Sequence, residues 1–361
     1  MNYYIIPRYI SPIDINLSVI KAQHDIPYMS NSLLYYLKDV QEQISNITRN
    51  GSNITDELTI EYISKIVNPY EFVNTIVPGT TTSVSKINTP SILFFELIEI
   101  FNSLELNELL TNTAPLHVAH ITDEHESSMC FLNMYRQNLD TQFSANFDFD
   151  DLLDTFVVNK YEAKIDLFIC EFKILDYDYV INMLLLLCII TNNQNDGGTC
   201  IIKIDHIFFE AISEIILIFS ALYQKVYLIK PSISDVTNGN RYLVCKTYFP
   251  KNTDLVEQIN KNIAFHLTND GTSNGDQIVS IVTNELPYFL LTKLNELNII
   301  IGQQQLDSYD QIINIYKNKN KQDMLDSLKR KHLQRCIQWC EKYNLPHNKF
   351  VDKINIFLSS A

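Results

Sequence analysis

Several groups of residues have the types and spacing to do chemistry. The stretch YKNKNKQDMLDSLKRKHLQR, residues 316–335, gathers Lys317, Lys319, Lys321, Lys329, Arg330, Lys331 and Arg335 in a chain of net charge −14. Cations at that density contact phosphate when they share a face, and the same pattern on a helix is otherwise a solvated surface. Tyr316 is the one aromatic inside the stretch, so it offers little for stacking on bases. His117, His120, Asp123 and His125 are ligand types, yet they straddle a predicted strand and loop and lack the spacing of a helical His pair. No metal is expected there. Cys336 and Cys340 lie four apart on a predicted helix, with no second pair of matching spacing, so core packing is the expectation. The acidic run NFDFDDLLD, residues 146–154, reads as a helix start carrying carboxylates in its first turn. Gly197 and Gly198 precede a strand rather than a helix, which makes a plain turn of them rather than a phosphate cradle.

The elements that must position such residues follow from the apolar pattern. With 361 residues and 46% hydrophobic content the chain can bury a sizeable core. The acidic balance argues against broad electrostatic capture of nucleic acid and leaves room for a local basic patch. Seven scattered Cys with no framework spacing read as reduced thiols of an intracellular protein. The N-terminus MNYYIIPRYI lacks the pattern of a signal peptide. The most apolar run, VINMLLLLCII at residues 180–190, is shorter than the roughly 20 residues a bilayer span needs. A cytoplasmic protein with no membrane contact is expected. Three regions separate: an N-terminal extension at 1–85, an alternating helix–strand region at 90–250, and a mostly helical region at 251–361 with the polar insert NDGTSNGDQ. In the middle region PLHVAHI, DLFICEF, GGTCIIKI, KVYLIKP and NRYLVCKTYF read as strands. SILFFELIEIFNSLEL, SSMCFLNMYRQ, YDYVINMLLLLCIITNN and FFEAISEIILIFSALY read as helices between them. The alternation predicts an α/β fold, a mostly parallel sheet with helices on both faces. The last two strands are expected as an antiparallel hairpin at one edge.

The run from Gly197 to Phe249 resembles the end of the FtsJ-type RNA 2′-O-ribose methyltransferases, of the kind found in large DNA viruses of eukaryotes. The likeness rests on Gly197-Gly198, Lys203, Lys230-Pro231, Ser232 or Ser234, Arg241-Tyr242 and Cys245-Lys246, in that order over about 50 residues. The tail HLQRCIQWCEKYNLP, residues 332–346, is similar to C-terminal helices of viral members. The resemblance covers residues 90–250 and is densest from 166 to 249. It implies a Rossmann-like methyltransferase sheet.

The resemblance also implies a catalytic set of Lys, Asp, Lys and Glu that tunes the ribose hydroxyl and holds the substrate. In this chain those positions carry Glu96, Glu171, Lys203 and Asn240. Only Lys203 keeps its type. Two carboxylates facing one Lys favour its protonated form, and a lysine held charged is a poor base. The family's S-adenosylmethionine lies against a Gly-rich turn after the first strand, where backbone can approach the ligand. Here that turn is Thr122, Asp123, Glu124 and their neighbours, and no Gly occurs from Ser83 through Asp196. No cofactor is therefore expected.

Three functions follow as expectations. The favoured one is a catalytically inactive relative of the 2′-O-methyltransferases, acting as an RNA-contacting or assembly module in a viral transcription or capping complex or a virion. The second is an active cap 2′-O-methyltransferase that uses S-adenosylmethionine at an atypical site, with Lys86, Lys164 or Lys173 replacing the lost Lys. The third is a purely structural protein.

Overall fold

The computed structural model describes residues 3–21, 27–50, 59–122, 125–137, 139–143, 164–171, 179–249, 253–263, 276–318 and 322–350. Strands β1 (Tyr3–Ile6) and β2 (Ile15–Lys21) are followed by helices α1 (Asn31–Asn50), α2 (Ile60–Val67), α3 (Leu93–Ser103) and α4 (Asn107–Thr111). The alternating region then runs β3 (Leu116–Thr122), α5 (His125–Tyr135), β4 (Thr141–Phe143), β5 (Ile165–Glu171), α6 (Tyr179–Asn193), β6 (Gln194–Ile204), α7 (Glu210–Leu222), β7 (Tyr223–Ile229) and β8 (Arg241–Tyr248). The last elements are α8 (Thr253–Gln258), β9 (Asp276–Val282), α9 (Tyr288–Lys317) and α10 (Gln322–Lys342).

Seven strands form the main sheet in the order β1-β7-β8-β6-β5-β3-β4. The neighbours β4, β3, β5 and β6 run parallel, whereas β8 is antiparallel to both β6 and β7. This is the α/β fold expected from the sequence, a Rossmann-like methyltransferase sheet. Alternation along the strands sends successive side chains to opposite faces. Ala119, Phe168, Cys170, Cys200, Ile202 and Cys245 join the core beneath α6 and α7. Val118, Leu167, Ile169, Ile201 and Val244 join the core beneath α3, α5 and α10. Both faces are thus covered by helices, which is why the central strands read as continuous apolar runs rather than as alternating ones.

Three placements depart from the sequence reading. The pair β7 and β8 is antiparallel but does not lie free at an edge, because β8 is inserted beside β6 and β1 pairs with the outer side of β7. The region after residue 250 also holds a strand, β9, which pairs with β2 in a second, two-stranded sheet. Its sequence DQIVSIV is β-branched, and its partner lies more than two hundred residues away in the chain, beyond the reach of any local pattern. Finally, α9 lies over the carboxyl end of the sheet. Asn298 donates to the carbonyl of Ile207 just past β6 (2.7 Å) and accepts from Arg241 at the start of β8 (2.9 Å), and the Tyr309 hydroxyl donates to the carbonyl of Thr237 (2.5 Å). The helix is held against α1 by Gly302, where a Cβ would come within 2.5 Å of Leu33 Cδ2. Any larger residue there requires the Leu33 side chain to move. Among the described residues no helix is long and apolar enough to cross a membrane.

Candidate functional site

Lys203 is the penultimate residue of β6, and Glu171 ends the neighbouring parallel strand β5. Both follow residues that point to the α3 side of the sheet, Ile201 and Ile169, by one full strand period. The Lys203 ammonium makes a direct ion pair with Glu171 Oε1 and lies 3.5 Å from Glu96 Oε2, which α3 lowers onto the same end of the sheet. Glu96 is buried, with 2% of its side chain exposed. Its carboxylate also accepts from the Tyr242 hydroxyl (2.5 Å) on β8 and from the Ser234 hydroxyl (2.5 Å) in the loop after β7. One helical turn on, Glu99 accepts from the Ser232 hydroxyl and from the Ile233 amide (3.1 Å) in that loop. The two carboxylates therefore clamp the segment after Lys230-Pro231.

The electrostatics follow from this packing. Burial opposes the charge on Lys203, but Glu96 and Glu171 outweigh it and hold the ammonium above the usual lysine range. Burial likewise opposes the charge on Glu96, and Lys203, Ser234 and Tyr242 together hold it below the usual carboxylate range. Burial, reinforced by Glu96, pushes the Tyr242 phenol far up, so it stays a donor. The second lysine of the region behaves in the opposite way. Burial first, and the nearby Arg241 second, push Lys230 down to about 7. Its ammonium donates to the carbonyls of Asn238 (2.6 Å) and Asn240 (3.2 Å). Asn240 thus enters the site through its backbone, next to Lys230. Sequence comparison marks Tyr242, Ser234 and Lys230 but assigns them no partner. Their hydrogen bonds to Glu96 and to the loop carbonyls are tertiary.

The residues on either side of the turn after β3 are buried. His120, Ser127 and Ser128 have no solvent exposure. Ser128 Oγ lies 2.5 Å from His120 Nδ1, and Ser127 Oγ accepts from both the amide and the hydroxyl of Ser91 (2.9 Å each). Burial, with a smaller push from His125, lowers His120 to about 4, so it is neutral at physiological pH. β3 ends at Thr122 and α5 starts at His125, which leaves two residues for the connection. Asp123 and Glu124 lie outside the described residues. A glycine-rich turn cradles a nucleoside cofactor because it presents bare backbone. The connection here consists of Asp123 and Glu124, neither of them glycine, so the sequence does not supply that bare backbone.

The remaining candidates are dispersed. Lys317 is exposed at the end of α9, and Arg330 and Lys331 are exposed on α10. Lys329 is turned inward and donates to the carbonyl of Pro78. Lys319, Lys321 and Lys173 lie outside the described residues, as does the acidic run at 146–154. Lys164 donates to the carbonyl of Asn192 (2.6 Å) at the opposite end of the sheet from Lys203, and Lys86 is exposed near Pro346. Cys336 and Cys340 are both buried in the α10 core, where burial raises their thiols, that of Cys340 to about 12. Among the described residues no group of three His, Cys, Asp or Glu is disposed to hold a metal ion.

No protein-family model matches the chain, and no curated protein matches it. Among solved structures it is similar to phosphoethanolamine N-methyltransferase 2 of Haemonchus contortus in complex with phosphomonomethylethanolamine and S-adenosylhomocysteine. That match has 12% identity and a TM-score of 0.29, over 47% of this chain and 44% of that one. A probable spermidine synthase from Corynebacterium glutamicum aligns at 11% identity and a TM-score of 0.30, over 50% of this chain and 76% of that one. Human methyltransferase-like protein 13 in complex with S-adenosylhomocysteine aligns at 9% identity and a TM-score of 0.27, over 46% of this chain and 92% of that one. Likenesses this loose carry no weight for function, and the fold assignment rests on strand order and direction.

Proposed function

We propose that this chain is a catalytically silent relative of the FtsJ-type 2′-O-methyltransferases, kept as an RNA-contacting or assembly module of a viral transcription or capping complex. The observation that supports it is the ion cluster at the end of β6. Lys203, the one residue of the catalytic set whose type is kept, is engaged by Glu171 and Glu96. A general base must shed its proton near the working pH. An ammonium clamped by two carboxylates holds its proton instead. Glu96 stands where the resemblance calls for a second Lys, and its hydrogen bonds to Tyr242 and Ser234 give it a structural role. A radiolabelled methyl-transfer assay on capped RNA tests this reading. The expected outcome is no transfer above the enzyme-free rate, and turnover dependent on Lys203 would overturn it.

A further inference from the structure

The two-stranded sheet is pinned to the rest of the molecule by a buried carboxylate. β9 packs on α7, and its Ile278, Ile281 and Val282 enter the core there. The ladder with β2 pairs Ile15 with Val282 and Ser18 with Ser280, and the register shifts between those pairs. Ile281 falls in the shift. Its amide donates instead to Glu214 Oε2 on α7 (2.5 Å), and Ser280 Oγ lies 2.8 Å from Glu214 Oε1. Glu214 is buried, with 1% of its surface exposed. Ser280 Oγ also lies 3.2 Å from the carbonyl of Val282. A hydroxyl has one proton and cannot serve both acceptors. One extra proton resolves the conflict. With Glu214 protonated, Oε1 donates to Ser280, Ser280 donates to the Val282 carbonyl, and Oε2 still accepts from Ile281. With Glu214 ionised, one acceptor loses Ser280 and a charge stands in an apolar layer. Among the described residues no Lys, Arg or His forms an ion pair with it. α7 adds Glu210 one turn earlier, and Glu285 follows β9. Lys21 and Asp276 stand opposite each other at the far end of the ladder. Tyr28 docks on the carbonyl of Phe208 just before α7 (2.8 Å), and Lys261 lies in the turn Ile259–Ile263 that packs on β2. On α9, Lys293 pairs with Glu296 (3.0 Å), and Arg241 is held by Asn298. α6 carries no charged residue, and β7 and β8 turn Val226, Leu228, Leu243 and Cys245 to this core.

We propose that Glu214 is a pH-sensitive latch: protonated, it fastens β9 and its partner β2 to α7, and its ionisation loosens them. Burial raises the carboxyl to about 7 against the pull of the Ile281 amide and the Ser280 hydroxyl, and Glu210 adds a smaller push upward. Once the sheet opens, the carboxyl is hydrated and titrates near its ordinary value of 4.5. Between those two values the latched form holds more protons than the opened one, so opening becomes easier as pH rises from 4.5 to about 7. Below 4.5 the latch is fully fastened, and above about 7 both forms are ionised and opening gains nothing further. β9 leads through residues 283–287 into α9, the helix laid over the carboxyl end of the main sheet. The latch therefore sits at the root of that helix.

Hydrogen exchange of the full chain between about pH 5 and 8, read as protection factors corrected for intrinsic rate, tests the latch. Amides of β9 and β2 should lose protection roughly tenfold per pH unit up to about pH 7 and level off above it. Those of β6 should not follow that decline, because global opening also exposes His120, which titrates in the opposite sense. Glu214→Gln, whose side-chain amide donates to Ser280 and accepts from Ile281 as the neutral acid does, should keep β9 protected throughout. Glu210→Gln should keep the slope and bring its end to a lower pH. A flat β9 profile in the parent chain, the same decline in β6 as in β9, a slope that survives Glu214→Gln, or one abolished by Glu210→Gln would each overturn the inference.

Discussion

At the end of β6, Lys203 is closed off by charge, and at the end of β3, His120 is closed off by packing. In the first region three of the four positions that the resemblance marks carry ionisable residues, with Glu96 and Glu171 neutralising the lysine and Glu96 also holding the loop after β7. The second has no glycine in its turn, and His120, Ser127 and Ser128 on either side of it are fully buried. An electrostatic closure is reversible in principle by changing residue types. A closure by packing is not, because interiors are packed to solid density and each buried side chain has neighbours that depend on it.

The largest expected effect comes from trying to reverse the charge closure. The triple variant Glu96→Lys, Glu171→Asp, Asn240→Glu restores the residue types of the family but sets a second ammonium beside Lys203, in a site built from the donors Tyr242 and Ser234. Stability should fall by at least about 5 kcal/mol, comparable with the whole stability of many domains. Methyl transfer should stay absent, since tuning the acceptor accelerates nothing without a bound donor. Urea unfolding and the radiolabelled assay check the two halves of that statement.

Removing the central charge alone is the next largest. Lys203→Met leaves Glu96 buried and uncompensated, and should cost about 3–5 kcal/mol in urea unfolding. Glu171 is partly solvated, with 19% of its side chain exposed. Glu171→Gln should therefore cost only about 1 kcal/mol. Equal losses from the two substitutions would show that the cluster is not organised around the buried Glu96.

The two regions also titrate in different windows. His120 is held at about 4 against an unfolded value of 6.5, so between those values the unfolded chain binds more protons. Stability should fall by about 3 kcal/mol as pH drops through that window, and His120→Met should flatten this limb. The folded value of Glu96 lies below its unfolded value of 4.5, so its contribution is present above pH 4.5 and is lost only as pH falls through the folded value. That of Lys203 lies above 10.5, so its contribution is present below pH 10.5 and is lost only as pH rises through the folded value. A single acid transition unaffected by His120→Met would remove the distinction between the two closures.

The sheet was legible where local pattern and burial agree. DLFICEF and GGTCIIKI read as buried strands and became β5 and β6, and the Leu-rich run after Tyr179 became α6. β1 and β9 were not legible, since four or seven residues of strand declare themselves only through partners that lie far along the chain. The approach of Glu171 to Lys203 followed from adjacent strand ends. The bonds of Glu96 to Tyr242 and Ser234 did not, because α3, β8 and the loop after β7 meet only in the folded chain.

The central claim is that the turn after β3 holds no methyl donor, and calorimetric titration with S-adenosylmethionine tests it most directly. The account predicts no binding isotherm up to about 1 mM ligand, an affinity weaker than roughly 4 kcal/mol. One-site binding at micromolar concentration would contradict it, because a glycine-free connection flanked by the buried Ser128–His120 contact would then have to accommodate a cofactor.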